Sequence, residues 1–119
     1  MIKIKRIYTP AEPDDGFRVL VDRLWPRGLS KDKARVDLWL KDIAPSDELR
    51  KWFSHRVERF NEFKDRYRNE LLAKQDLLHN ILKLEEERGV VTLLYAARDS
   101  DNNNARVLLD VLNEIKTRT

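Results

Sequence analysis

Apolar and polar positions alternate at the start of the chain, where Lys3 and Lys5 interleave Ile2 and Ile4. That is the period of a half-buried strand, and it predicts a first strand over residues 2–8. Residues 9–16 hold two prolines and an Asp-Gly pair and read as a loop. A second strand is predicted over Phe17 to Leu24. Within it Val19, Leu20 and Val21 make the unbroken apolar run that the interior of a parallel sheet requires. The loop between these strands is short for a crossover containing a helix. Two arrangements stay open: an antiparallel pair, or parallel strands with a minimal crossover.

Ser30 is placed to cap a short turn over Lys31 to Ala34. Val36 to Ile43 fits both periods, since Leu38 and Leu40 alternate as in a strand while Trp39 and Ile43 lie at helical spacing. Ala44-Pro45-Ser46 breaks the pattern. Ser46 followed by Asp47 and Glu48 predicts a helix start, with a cap and acidic residues in the first turn. Leu49, Trp52 and Phe53 are its apolar positions, and a turn follows near His55. Val57, Phe60, Phe63, Tyr67 and Leu71 then step by three or four along one helix face, with Glu62 and Arg66 as a favourable pair on the other. Another helix is predicted from about Asp76 to Arg88, with Leu77, Leu78, Ile81, Leu82 and Leu84 inward and Gly89 as its stop. Val90 to Ala97 is a second nearly continuous apolar run and reads as a buried strand. The polar run Ser100 to Asn104 leads into a last helix that uses Ala105, Leu108, Leu112 and Ile115. The pattern predicts a single α/β domain over residues 1–119, a largely parallel sheet flanked by about four helices.

Composition narrows the function classes. At 119 residues and 41% hydrophobic content the chain can bury a core without metal or disulfide help. Lys and Arg number 24 against 21 Asp and Glu, a net charge of +3, which permits anion binding without the basic stripe of a nucleic-acid protein. There is no cysteine, which excludes thiol catalysis, disulfides and thiolate zinc sites. No apolar run approaches the ~20 residues of a membrane span, and the amino terminus lacks the apolar core of a signal peptide. The expected setting is the cytoplasm, away from membranes.

The chemistry-bearing residues gather at two strand ends. The second strand ends in Asp22, Arg23, Trp25 and Arg27; the last ends near Tyr95, Arg98 and Asp99, followed by Asp101 to Asn104. In open α/β sheets ligands bind beyond the carboxyl ends of the strands. If the two strands are parallel neighbours, both endings line one cleft. Arginine forks suit phosphate and carboxylate, Asn102 and Asn103 lie at a helix amino terminus that favours anions, and Trp25 or Tyr95 could stack on a planar group. The expected ligand is an anionic small molecule such as a nucleotide. The competing structural reading pairs Arg23 with Asp22 or Asp99, buries Trp25, and leaves the asparagines as helix caps. A further competing expectation is a non-catalytic module that binds protein or nucleic acid.

Other signals are weaker. His79 sits on the polar side of its helix. His55 lies at a helix end, where a cation is favoured, and is a minor candidate for a general acid. Two histidines without clustered carboxylates predict no metal site. Trp39, Trp52, Phe53, Phe60, Phe63 and Tyr67 read as core. The basic residues between Arg50 and Arg68 are interleaved with Glu58, Glu62, Asp65 and Glu70, which reads as a solvated helix face. With three glycines and no Gly-x-x-x-x-Gly-Lys or Gly-x-Gly-x-x-Gly, dinucleotide and phosphate-loop enzymes are disfavoured; neither Gly-x-Ser-x-Gly nor His-Glu-x-x-His is present. No cofactor is expected.

Four segments resemble a known family. Arg18 to Ser30, Asp37 to Ser46, Leu49 to Phe53 and Val91 to Asp99 are similar to the YeaO-like proteins, a bacterial and archaeal family classed as a domain of unknown function. The resemblance spans nearly the whole chain and implies a small cytoplasmic α/β domain. It brings no reaction, cofactor or catalytic residue. Two departures stand out: Arg56-Val57 follow His55 where similar proteins often carry Asp-Pro, and Asn102 to Asn104 stand where they often carry a histidine. The Val21-Asp22-x-x-x-Pro26 ending also resembles, distantly, rhodanese-like domains, whose sulfur transfer needs the cysteine that this chain lacks.

Overall fold

Four parallel strands carry the molecule in the order β1-β4-β2-β3. They are β1 (Ile2–Arg6), β2 (Phe17–Leu20), β3 (Leu38–Trp39) and β4 (Val91–Tyr95). The computed structural model describes residues 1–118. β1 and β2 are parallel but not neighbours; β4 lies between them, pairing Ile4 with Leu93 on one side and Val19 with Leu93 on the other. A connection containing only the 3-10 turn Pro13–Asp15 carries the chain past the place β4 will fill. The segment that fits both periods resolves into both: β3 is two residues long, and a 3-10 turn, Lys41–Ile43, follows.

The helices are α1 (Lys31–Ala34), α2 (Asp47–Phe53), α3 (Phe60–Leu72), α4 (Gln75–Arg88) and α5 (Asn104–Arg118). The starts of α1, α2 and α5 and the stop of α4 follow capping chemistry, while α3 and α4 begin without a side-chain cap. The Ser30 hydroxyl accepts from Lys33 N–H, and that of Ser46 from Leu49 N–H. The Asn103 side chain accepts from Arg106 N–H. Gly89 ends α4 at φ 84°, its N–H donating to Glu85 O. Val57 lies in a 3-10 turn ahead of α3 and is exposed, a departure from the helix face predicted to bury it.

Strand alternation sorts the sheet into two unlike faces. Ile2, Ile4, Val19, Val91, Leu93 and Tyr95 face the large core, where Phe63, Tyr67, Leu71, Leu78, Ile81, Leu108 and Leu112 of the long helices pack. On the other face Leu20 and Leu94 join Ile7 and Ala34 in a small cluster bordered by Trp25 and Trp39. The rest of that face is polar. Arg18, only 4% exposed, pairs with Asp15 and donates to the Ala34 and Arg35 carbonyls. Lys5 also reaches Asp15, and the Thr92 hydroxyl donates to Asp15 O at 2.6 Å. Burial pushes the Asp15 carboxyl up, but the Glu12 N–H, Lys5 and Arg18 outweigh it and hold the group below the usual carboxylate range. Loops covering this face are thus fixed by buried, mutually satisfied charges. Gly16 closes the arrangement at φ 62°, where a Cβ would lie 2.4 Å from Val90 O; only glycine fits.

Candidate functional site

The strand order decides where a ligand can bind. From β2 the chain turns outward to β3, while from β4 it turns to α5, which packs toward β1. The carboxyl ends of β2 and β4 therefore part, and such a switch point leaves a crevice. A cleft of about 1040 Å³ opens there, bounded by the strand ends, the end of α2 and the start of α5. Its volume is at the upper end of small-molecule sites.

Asp22 sits at the junction. Its carboxylate accepts from Ala96 N–H at 2.9 Å and from the Asn104 amide at 3.0 Å, so it ties the end of β2 to the end of β4 and the start of α5. Burial raises its pKa; hydrogen bonds from Asn104 and Ala96, and the field of His55, only partly offset that. Asp22 O also accepts from the Trp39 indole.

Arg23 does not pair with Asp22 or Asp99. It donates to Pro45 O (3.1 Å) and Ala44 O (3.3 Å) and lies 3.9 Å from the Asp47 carboxylate. The same carbonyl segment is held by Tyr67 on Ile43 O, by Lys74 on Ala44 O, and by Glu70 on the Ser46 N–H and hydroxyl. Arg23 is therefore one member of a clamp that fixes the approach to α2. Trp25 donates to Leu29 O and meets Trp39 edge-on at 5.5 Å; one part of it packs in the small cluster while another lines the cleft. Tyr95, 4% exposed, is in the large core and outside the cleft lining, because its place in the strand alternation turns it toward the helices. Asp99 accepts from the Asp101 and Asn102 N–H groups and the Asn102 amide, and these bonds lower its pKa. Asn103 caps α5 and donates to Asp99 O. Of the asparagines only Asn103 is the cap that the structural reading anticipated; Asn102 bonds to Asp99 and Asn104 to Asp22, and all three line the cleft.

Arg27 and Arg98 behave differently. Both are exposed in the cleft wall, and neither guanidinium has a hydrogen-bond or ion-pair partner among the described residues. Sequence reasoning missed several of their neighbours. Arg6 and Tyr8 arrive from the end of β1, Arg50 and Lys51 from α2. Arg6 follows from the parallel order, which brings every strand's carboxyl end to one edge. Arg50 was masked by the alternating charges around it; its Nη2 reaches Asp47, while its Nε is buried without a partner. Six Lys and Arg side chains line the cleft against two carboxylates, a lining that attracts anions.

His55 also lines the cleft. It and Ser54 lie consecutively at φ 57° and 47°, a left-handed conformation that costs non-glycine residues energy. Among the described residues no group of His, Cys, Asp and Glu could hold a metal ion, and no helix is long and apolar enough to cross a membrane.

Comparison with known proteins places the chain. No solved structure matches it. It is 46% identical over 112 residues to an uncharacterized protein of Mycobacterium tuberculosis, covering 94% of this chain and 93% of that one. It is 41% identical over 114 residues to the uncharacterized protein YeaO of Escherichia coli, covering 96% and 98%. Residues 1–119 match a family described as the inactive DUF488-N3 subclade. With that match across its length, and with the YeaO-like resemblance of its segments met by a YeaO relative of nearly the same extent, the chain belongs to the inactive DUF488-N3 subclade.

Proposed function

We propose that this protein binds an anionic small molecule, such as a nucleotide, in the cleft at the carboxyl ends of β2 and β4, and that it binds without turning the ligand over. The observation that carries the reading is the pair of unpartnered guanidiniums, Arg27 and Arg98, contributed to one cleft by two different strand ends. A structural arginine is consumed by neighbours, as Arg18 and Arg23 are; these two are not. Guanidinium forks recognise phosphate and carboxylate oxygens in two-point geometry. Arg6 and Lys51 add positive field around them.

Binding without chemistry is supported from two sides. The half-buried Asp22 carboxylate in the cleft wall is already engaged by Ala96 N–H and Asn104, so it serves as a tie between elements. The family to which the chain belongs is also an inactive subclade. Titration calorimetry at low salt with nucleoside mono- and diphosphates tests the proposal. Loss of one charge-assisted contact is worth about 1.5–3 kcal/mol, so Arg27→Ala or Arg98→Ala should weaken binding by roughly 10- to 100-fold. Equal affinity of wild type and the double variant would sink it.

A further inference from the structure

The cleft wall holds exposed apolar side chains for which the fold has no use. Leu24 is 57% and Val57 is 59% exposed, and both line the cleft. With Tyr8 they are three of the five large hydrophobic residues left exposed among the described residues. Single exposed apolar side chains are ordinary on a protein surface. Their gathering around one cationic cleft is not, because apolar area rimmed by polar groups marks a binding groove. Leu24 lies between Arg23, whose side chain is bound to Pro45 O, and Trp25, whose side chain is bound to Leu29 O. Val57 lies in the turn that joins α2 to α3. Behind them Phe53 and Phe63, stacked at 4.3 Å, reach the cleft from the large core. Tyr95 lies outside this lining, and beside Trp25 the apolar surface arrives from α2, α3 and the loop after β2.

We infer that the ligand is amphipathic: an organic anion whose apolar, ring-sized part rests on Leu24 and Val57 while its charged group meets Arg27 and Arg98. This rests on the anion-binding reading above and narrows its ligand class. A bare phosphate would satisfy the guanidiniums and leave the apolar wall wet. Placing a ring there removes apolar area from water on both partners, which favours binding in proportion to that area. Leu24 and Val57 then set specificity and the arginines supply the charge attraction.

The test is a graded series of probes: inorganic phosphate, phenyl phosphate and 1-naphthyl phosphate, titrated by calorimetry against the wild type and the Leu24→Ser/Val57→Ser variant. Both positions are exposed, so the variant should keep the wild-type melting temperature, which is measured alongside. We expect affinity in the wild type to rise along the series, by on the order of tenfold for each added ring. In the variant the series should flatten while inorganic phosphate binds as before. Equal slopes in both proteins, or a flat series in the wild type, would overturn this inference and leave anion binding standing. A wild type that binds none of the three, and none of acetate, phenylacetate and 1-naphthylacetate run in parallel, would overturn the anion-binding reading itself. That carboxylate series distinguishes a carboxylate head from a phosphate: the apolar slope is expected in whichever series binds.

Discussion

Under the loop-covered face of the sheet, Arg18 is buried and donates to Asp15, Ala34 O and Arg35 O, so that its guanidinium is bound on every side. At the mouth of the cleft, Arg27 and Arg98 are exposed and donate to nothing among the described residues. Arg23 stands between the two cases, a quarter exposed and spent on the carbonyls before α2. The same side chain does three things in one small protein, and satisfaction of its donors separates them. A guanidinium with no protein partner has its hydrogen-bonding capacity left for something else. One that is buried and saturated has its energy invested in the fold.

That contrast can be broken in order of effect on stability. Arg18→Ala should be the most damaging, at about 3–5 kcal/mol, because it breaks a buried ion pair and leaves the Ala34 and Arg35 carbonyls without their donor; chemical denaturation measures it, and a loss below ~1 kcal/mol would mean that Lys5 and the Glu12 N–H suffice for Asp15. Lowering the pH attacks the same network from its acid side. The Asp15 carboxyl is held below its usual range, so its contribution is complete above the unfolded-state value and is lost as the pH falls through the lower native one. Acid unfolding of Asp15→Asn should therefore begin from lower stability but show a shallower loss than wild type. Arg23→Ala removes two charge-assisted bonds to the α2 approach and should cost about 1.5–3 kcal/mol. His55→Gly should move the other way, gaining up to about 1 kcal/mol, since it relieves a left-handed non-glycine residue against the entropy of glycine; an unchanged or lower melting temperature would show that the side chain holds the turn. Arg27→Ala and Arg98→Ala should leave stability within ~0.5 kcal/mol of wild type, and a large loss would place them with Arg18.

Much of the fold was legible. The strand at Val91 and the helices of residues 60–72, 75–88 and 104–118 follow from periodicity, because long amphipathic patterns admit one burial solution. The carboxyl-end location of the cleft followed from two apolar runs ending in charge. Val57 was misread for a local reason: it continues the three-four spacing of α3, but Ser54 and His55 turn the chain before the helix begins. Tyr95 was misread for a geometric one. As the last residue of β4 it shares the parity of Leu93 and Val91, and that parity points to the helices.

By itself the sequence determined the long strands and helices, the caps at Ser30, Ser46 and Gly89, and that charge collects at strand ends, since these are properties of neighbours along the chain. Only the tertiary structure decided that β4 inserts between β1 and β2, that Arg23 is bound to the Pro45 segment, and that Arg6, Arg50 and Lys51 join Arg27 and Arg98 at one opening. Those facts depend on which strands are adjacent and which donors meet acceptors far away in the chain, and side-chain periodicity holds no information about either.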